Sequence, residues 1–68
     1  MNEIEVLVNG EARRITPTSL AGLLEALGLE PESLATAVNG SFVARGARGE
    51  RRLADGDSVT IFRPIVGG

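Results

Sequence analysis

Two Asn-Gly dipeptides constrain this chain more than any other feature. Asn9-Gly10 and Asn39-Gly40 each sit between short runs rich in aliphatic residues. Asn-Gly is the strongest short hairpin signal, because a type I′ turn needs positive φ at both central residues. Ahead of the first turn, Ile4, Val6 and Val8 alternate with Glu3, Glu5 and Leu7, which is the period of a half-buried strand. A two-residue turn then sets Ile15 opposite Ile4 on the same face. Arg13 and Arg14 fall on the return strand with solvated heads, near Glu3 and Glu5, and such exposed pairs contribute little.

Between the two turns lies one amphipathic helix. Leu20, Leu23, Leu24 and Leu27 follow the i, i+3, i+4, i+7 rule and form a single apolar stripe. Ser19 is the expected N-cap, with Thr18 as the alternative. The capping-box glutamate is absent, and Gly22 stands in its place. A mid-helix glycine costs about 1 kcal/mol relative to alanine. Close packing against the sheet, or simple tolerance, would account for it. Gly28 is placed to end the helix as a left-handed C′ residue. After a turn at Leu29–Ser33, Leu34 is expected to anchor inward. Ala35–Asn39 and Ser41–Ala44 read as the third and fourth strands. Gly46–Arg52 is a polar loop, Leu53 a plug into the core, and Asp55-Gly56-Asp57 a turn. Ser58–Arg63 closes the fold, with Val59 and Ile61 facing one way and Thr60 and Phe62 the other. A helix with one leucine stripe must lie across the one apolar face of such a sheet.

Bulk properties exclude several functions. A 68-residue chain is one domain; it buries only about 60 % of its unfolded surface and has little room for a catalytic cleft of its own. That argues against a self-contained enzyme. The absence of cysteine and histidine removes disulfides, zinc sites and Cys or His nucleophiles. A net charge of −2 opposes nucleic-acid binding. No apolar run reaches membrane-spanning length and no signal peptide is visible, so a cytoplasmic monomer with no membrane contact is expected. All seven basic residues are arginines, so the chain offers no lysine side chain for an isopeptide bond.

Arg45, Arg48, Arg51 and Arg52 cluster in one segment. They suit either an acidic partner surface or a solvated loop, and the loop is the preferred reading. Asp55 and Asp57 form half of a carboxylate pair, but Asp-Gly-Asp is good turn chemistry and no histidine or cysteine stands beside them. Gly46-Ala47-Arg48-Gly49 lacks the Gly-Lys-Ser/Thr ending of a phosphate-binding loop.

The chemistry gathers at the end of the chain, Phe62-Arg63-Pro64-Ile65-Val66-Gly67-Gly68. Pro64 has no N–H and a fixed φ, so it marks where the sheet releases the chain. From Arg63 onward an extended tail reaches roughly 20 Å. Glycine has no Cβ, so Gly67-Gly68 is the thinnest peptide available for threading a narrow channel. Ile65 and Val66 are costly to leave wet without a partner. A carboxylate is a poor acyl electrophile until activated, most simply as an acyl-adenylate made from ATP.

The order of elements resembles the β-grasp, or ubiquitin-like, fold. That implies an α+β domain spanning 1–68, with a mixed sheet of four to five strands, one main helix packed on one face, and a flexible tail over 63–68. Four features resemble the ThiS-type sulfur carriers of thiamine biosynthesis. They are Val8-Asn9-Gly10, Leu23-Leu24-Glu25-Ala26-Leu27-Gly28-Leu29, Ala37-Val38-Asn39-Gly40, and Asp55-Gly56-Asp57 leading through the last strand to Gly67-Gly68. Residues 46–52 match no family feature.

The resemblance implies a carrier with no bound cofactor, not a catalyst. An E1-like adenylyltransferase would use ATP and magnesium to adenylate Gly68. Sulfur from a cysteine desulfurase would then give a C-terminal thiocarboxylate, which thiazole synthase consumes. Gly67, Val66, Ile65 and Pro64 would thread the partner. Phe62 and Leu7, with Ala37, point away from the helix and are the candidate docking patch beside the tail root. The Pro64–Gly68 ending is also close to that of the molybdopterin-synthase small subunit. Carriers for other sulfur pathways, a protein modifier, and a plain interaction module are the remaining alternatives.

Overall fold

In the computed structural model, which describes residues 2–64, β1 (Ile4–Val8) turns through Asn9-Gly10 into β2 (Glu11–Ile15). Asn9 has φ 52° and Gly10 φ 87°, so both central residues take the positive φ that the turn demands. Ile4 pairs with Ile15, the register expected from a two-residue loop. The helix α1 (Leu20–Ala26) follows, then a short 3-10 turn at Pro31–Ser33. β3 (Ala35–Val38) and β4 (Ser41–Val43) form the second hairpin, a second 3-10 turn covers Arg45–Ala47, and β5 (Ser58–Phe62) closes the chain. The sheet order is β2-β1-β5-β3-β4. β5 is parallel to β1 and antiparallel to β3, so the sheet is mixed and the last strand lies at its centre.

One face of the sheet carries Val6, Val8, Val38, Val43 and Val59, packed against Leu20 and Leu23 of the helix and against Leu53. Leu24 is also buried, and Leu27 packs against the cluster half-buried. Ser19 is the N-cap, accepting from the Gly22 amide at 3.1 Å. A Cβ on Gly22 would lie 2.0 Å from Thr18 Oγ1. The close approach that needs glycine is therefore to the threonine before the cap, not to the sheet. At the other end Gly28 has φ 73°; its amide donates to Glu25 at 3.0 Å and that of Leu29 to Leu24 at 3.1 Å. These two bonds form a Schellman motif.

The segment after β4 differs from the solvated loop expected of it. Arg48 is only 3 % exposed. Its Nε donates to Thr36 Oγ1 at 3.1 Å, Nη1 to the Pro31 carbonyl at 2.9 Å and Nη2 to the Leu34 carbonyl at 2.6 Å. Thr36 in turn donates to the Val43 carbonyl at 3.1 Å, so its hydroxyl is satisfied on both sides. The Arg51 carbonyl accepts from the Leu20 amide at 2.8 Å, and the Arg48 carbonyl accepts from Ala21 at 3.2 Å. Those amides belong to the first helical turn and have no partner within a helix. The segment therefore caps the helix through its backbone and ties the crossover to β3 through one guanidinium. Leu53 is buried as expected, and its amide donates to Thr18 at 3.0 Å. Leu34 is half-buried, less enclosed than an inward anchor.

Removing Arg48 strands three acceptors that water reaches poorly. Arg48→Ala is expected to lower the unfolding free energy by about 2–4 kcal/mol, read from urea denaturation. Arg48→Lys recovers little of this, because an ammonium cannot span three acceptors held in a planar fork. Arg52→Ala, at an exposed position, changes stability by less than about 0.5 kcal/mol.

Candidate functional site

The tail leaves the fold at the end of β5, so whatever positions β5 positions the tail. The ladder between β1 and β5 covers only Leu7–Ser58 and Val8–Val59. Beyond it the Asn9 side chain substitutes for a strand. Its Oδ1 accepts from the Ile61 amide at 2.8 Å, and its Nδ2 donates to the Ile61 carbonyl at 3.1 Å. On the other side Asn39 Oδ1 accepts from the Ser58 amide at 2.9 Å, and the Asn39 amide donates to the Ser58 carbonyl at 2.7 Å. Both turn asparagines, chosen for their tolerance of positive φ, thus also grip the central strand.

The Asp55-Gly56-Asp57 turn anchors the start of β5. Asp55 Oδ1 accepts from the Glu5 amide at 2.8 Å, and the Gly56 amide donates to the Glu5 carbonyl at 2.7 Å. Asp57 accepts from Asn39 Nδ2 at 2.9 Å and from the Ala54 amide at 2.9 Å, with Arg51 at 3.9 Å. Both carboxylates are occupied by backbone and amide donors, which suits a turn and leaves no free acid-base pair. The hydrogen bond from Asn39, then that from Ala54, then the charge of Arg51 hold the Asp57 carboxyl below its ordinary range, against a smaller opposing effect of burial.

The face of the sheet away from the helix carries Leu7, Ala37, Phe42 and Phe62. Phe42 is 69 % exposed, Phe62 46 % and Leu7 40 %, while Ala37 is half-buried. Ala35 pairs with Phe62, and Ala37 pairs with both Thr60 and Phe42. Phe62, Ala35, Ala37 and Phe42 therefore adjoin. Leu7 pairs with Ser58, four positions before Phe62 on β5, a separation of about 13 Å along the strand. The three residues picked from sequence do share one face, but Leu7 stands apart from the tail root and Phe42 takes its place. The second Asn-Gly turn held the signal for Phe42, since a two-residue loop after Val38 sets Phe42 opposite Ala37.

A groove of about 540 Å³ runs between Phe42 and Phe62, with Ala35 and Ala44 in its lining and Pro64 among its walls. Glu32 and Arg45 also border it. Pro64 is exposed. Ile65, Val66, Gly67 and Gly68, read from sequence as the threading and reacting end, lie outside the described residues. Among the described residues no helix is long and apolar enough to cross a membrane.

A family model described as the ThiS family matches residues 6–68, nearly the whole chain. The chain belongs to the ThiS family. That family comprises small sulfur carriers of thiamine biosynthesis with the β-grasp fold, and the five-stranded mixed sheet with one helix conforms to it. The crystal structure of a thiamine biosynthesis protein (ThiS) from Geobacter metallireducens is 26 % identical, with a TM-score of 0.87 over 96 % of this chain and 100 % of that one. An NMR solution structure of a thiamine biosynthesis protein from the same organism is also 26 % identical, with a TM-score of 0.77 over 96 % of this chain and 88 % of that one. No curated protein matches. The ThiS match passes through residues 46–52, where no motif was legible, and reaches Gly68.

A carboxyl titrating below its ordinary value stabilises the fold above the unfolded-state pKa, and that stability is lost as pH falls through the lowered value. Between about pH 6 and about pH 3 the urea midpoint is therefore expected to fall less for Asp57→Asn than for the parent protein. An equal fall in both would show that Asp57 contributes nothing to acid sensitivity.

Proposed function

We propose that this ThiS-family protein carries sulfur as a thiocarboxylate on Gly68. One observation supports the reading above the others: the family match extends to the terminal Gly67-Gly68, and the central strand of the sheet leads directly into that end. The protein is then the substrate of other enzymes. In the first step a Gly68 carboxylate oxygen attacks the α-phosphorus of ATP on an E1-like adenylyltransferase, with magnesium, and pyrophosphate leaves. In the second a sulfide-level nucleophile, supplied ultimately by a cysteine desulfurase, attacks the acyl carbon and AMP leaves. A C–S bond replaces the mixed anhydride. The thiocarboxylate is a soft, ionised nucleophile, and thiazole synthase is the proposed consumer.

Glycine at 67 and 68 leaves the acyl carbon open to both attacks, since no Cβ crowds it. Pro64, Ile65 and Val66 supply an extended, apolar lead that a channel can grip. The outer sheet face is the proposed docking surface, with Phe62, Ala37 and Leu7 as contacts. Its helix-free side leaves room for a partner to approach the tail root.

Incubation with ATP, magnesium, the adenylyltransferase of the same organism and a sulfide source tests the chemistry by intact mass. The expected product is heavier by one sulfur minus one oxygen, and deletion of Gly67 and Gly68 abolishes it. Appearance on larger conjugates instead would make the protein a modifier, and no mass change would remove the carrier reading. In the same assay Phe62→Asp is expected to slow adenylation about tenfold or more while leaving the thermal transition in place, because the side chain is solvent-exposed.

A further inference from the structure

The reach of the tail decides where its enzyme must stand, given the carrier reading. Four residues follow Pro64, and fully extended they span about 14 Å. An enzyme that encloses the Gly68 carboxylate and keeps water from an acyl-adenylate must bring its own surface within that distance of Pro64. Leu7 lies about 13 Å behind Phe62 along the sheet, away from the tail. The Phe42–Phe62 groove, by contrast, has Pro64 as one of its walls. At about 540 Å³ it has room for a large aliphatic or aromatic side chain. Phe42 is the most exposed large apolar side chain among the described residues, at 69 %.

Charge gives the groove a polarity. Arg45 and Glu32 border it, and neither takes part in an ion pair among the described residues. Arg63, next to Pro64, adds a second exposed cation near the tail root. Two guanidinium groups there favour an acidic surface over a basic one, and a planar guanidinium pairs with carboxylate in a bidentate fork. We propose that the Phe42–Phe62 groove receives an apolar side chain of the adenylating enzyme, and that an acidic residue of that enzyme meets Arg45. Leu7 then lies at the border of the contact.

Pyrophosphate release by that enzyme, measured against carrier concentration, tests the assignment. Phe42→Asp is expected to raise KM about tenfold or more and to change kcat less than about twofold. Arg45→Glu raises KM about threefold, and high salt narrows the gap to the parent protein. Ala12→Asp, on the same face but opposite Leu7, changes KM less than about twofold. Thermal melts confirm the fold of each, and Phe42→Ser carries the test should the aspartate variant melt early. An unchanged KM for the Phe42 variants, with normal turnover of the parent, overturns the groove and leaves the carrier reading standing. A loss in Ala12→Asp alone moves the contact to the Leu7 end and overturns it equally. No turnover of the parent protein overturns the carrier reading and this inference with it.

Discussion

β5 is held at the centre of the sheet by two asparagine side chains, and the presentation of the tail depends on that grip. β1 is too short to pair with β5 beyond Val59. The Asn9 amide extends the pairing by offering Ile61 both a donor and an acceptor. An aspartate there would accept but not donate, and a glycine would turn the chain without gripping anything. Asn39 performs the corresponding task at the start of the strand and also anchors Asp57. One residue type meets two demands at each turn: a backbone at positive φ, and a planar group that imitates a peptide.

Much of the rest of the fold is secured by polar contacts of similar kind, because so small a domain has limited apolar area to bury. The core is one layer of valines against a leucine stripe. Around it, the carbonyls of Arg48 and Arg51 satisfy helix amides that would otherwise need water, and the Arg48 guanidinium holds Pro31, Leu34 and Thr36. Those contacts fix the crossover against β3, whose other face carries Ala35 and Ala37 beneath the exposed phenylalanines. The two faces of the sheet have different tasks. One is closed by the helix, and the other stays open beside the root of the tail.

Local features were legible from sequence where the determining residues are neighbours. The Ile4–Ile15 register follows from one turn, the Ser19 cap from one hydroxyl, and the Gly28 stop from one missing Cβ. Arg48 was not legible. Its charge marks it as a surface residue, and only three carbonyl and hydroxyl acceptors converging from 31, 34 and 36 make its burial tolerable. Phe42 was half legible: its register follows from Asn39-Gly40, but its place beside Phe62 needs both strands to flank β3.

By itself, then, the amino-acid order determined the turns, the single amphipathic helix, the alternating strands and a glycine-glycine end suited to carrying an acyl group. These rest on backbone preferences and periodicities that act within a few residues. Tertiary structure alone decided that Asn9 grips Ile61, that Arg48 is buried, and that Leu7 and Phe62 lie far apart on one face. Each of these depends on segments distant in the chain, Asn9 and Ile61 being 52 positions apart. Such contacts arise only when the sheet and helix close over a shared core, and no local pattern encodes them.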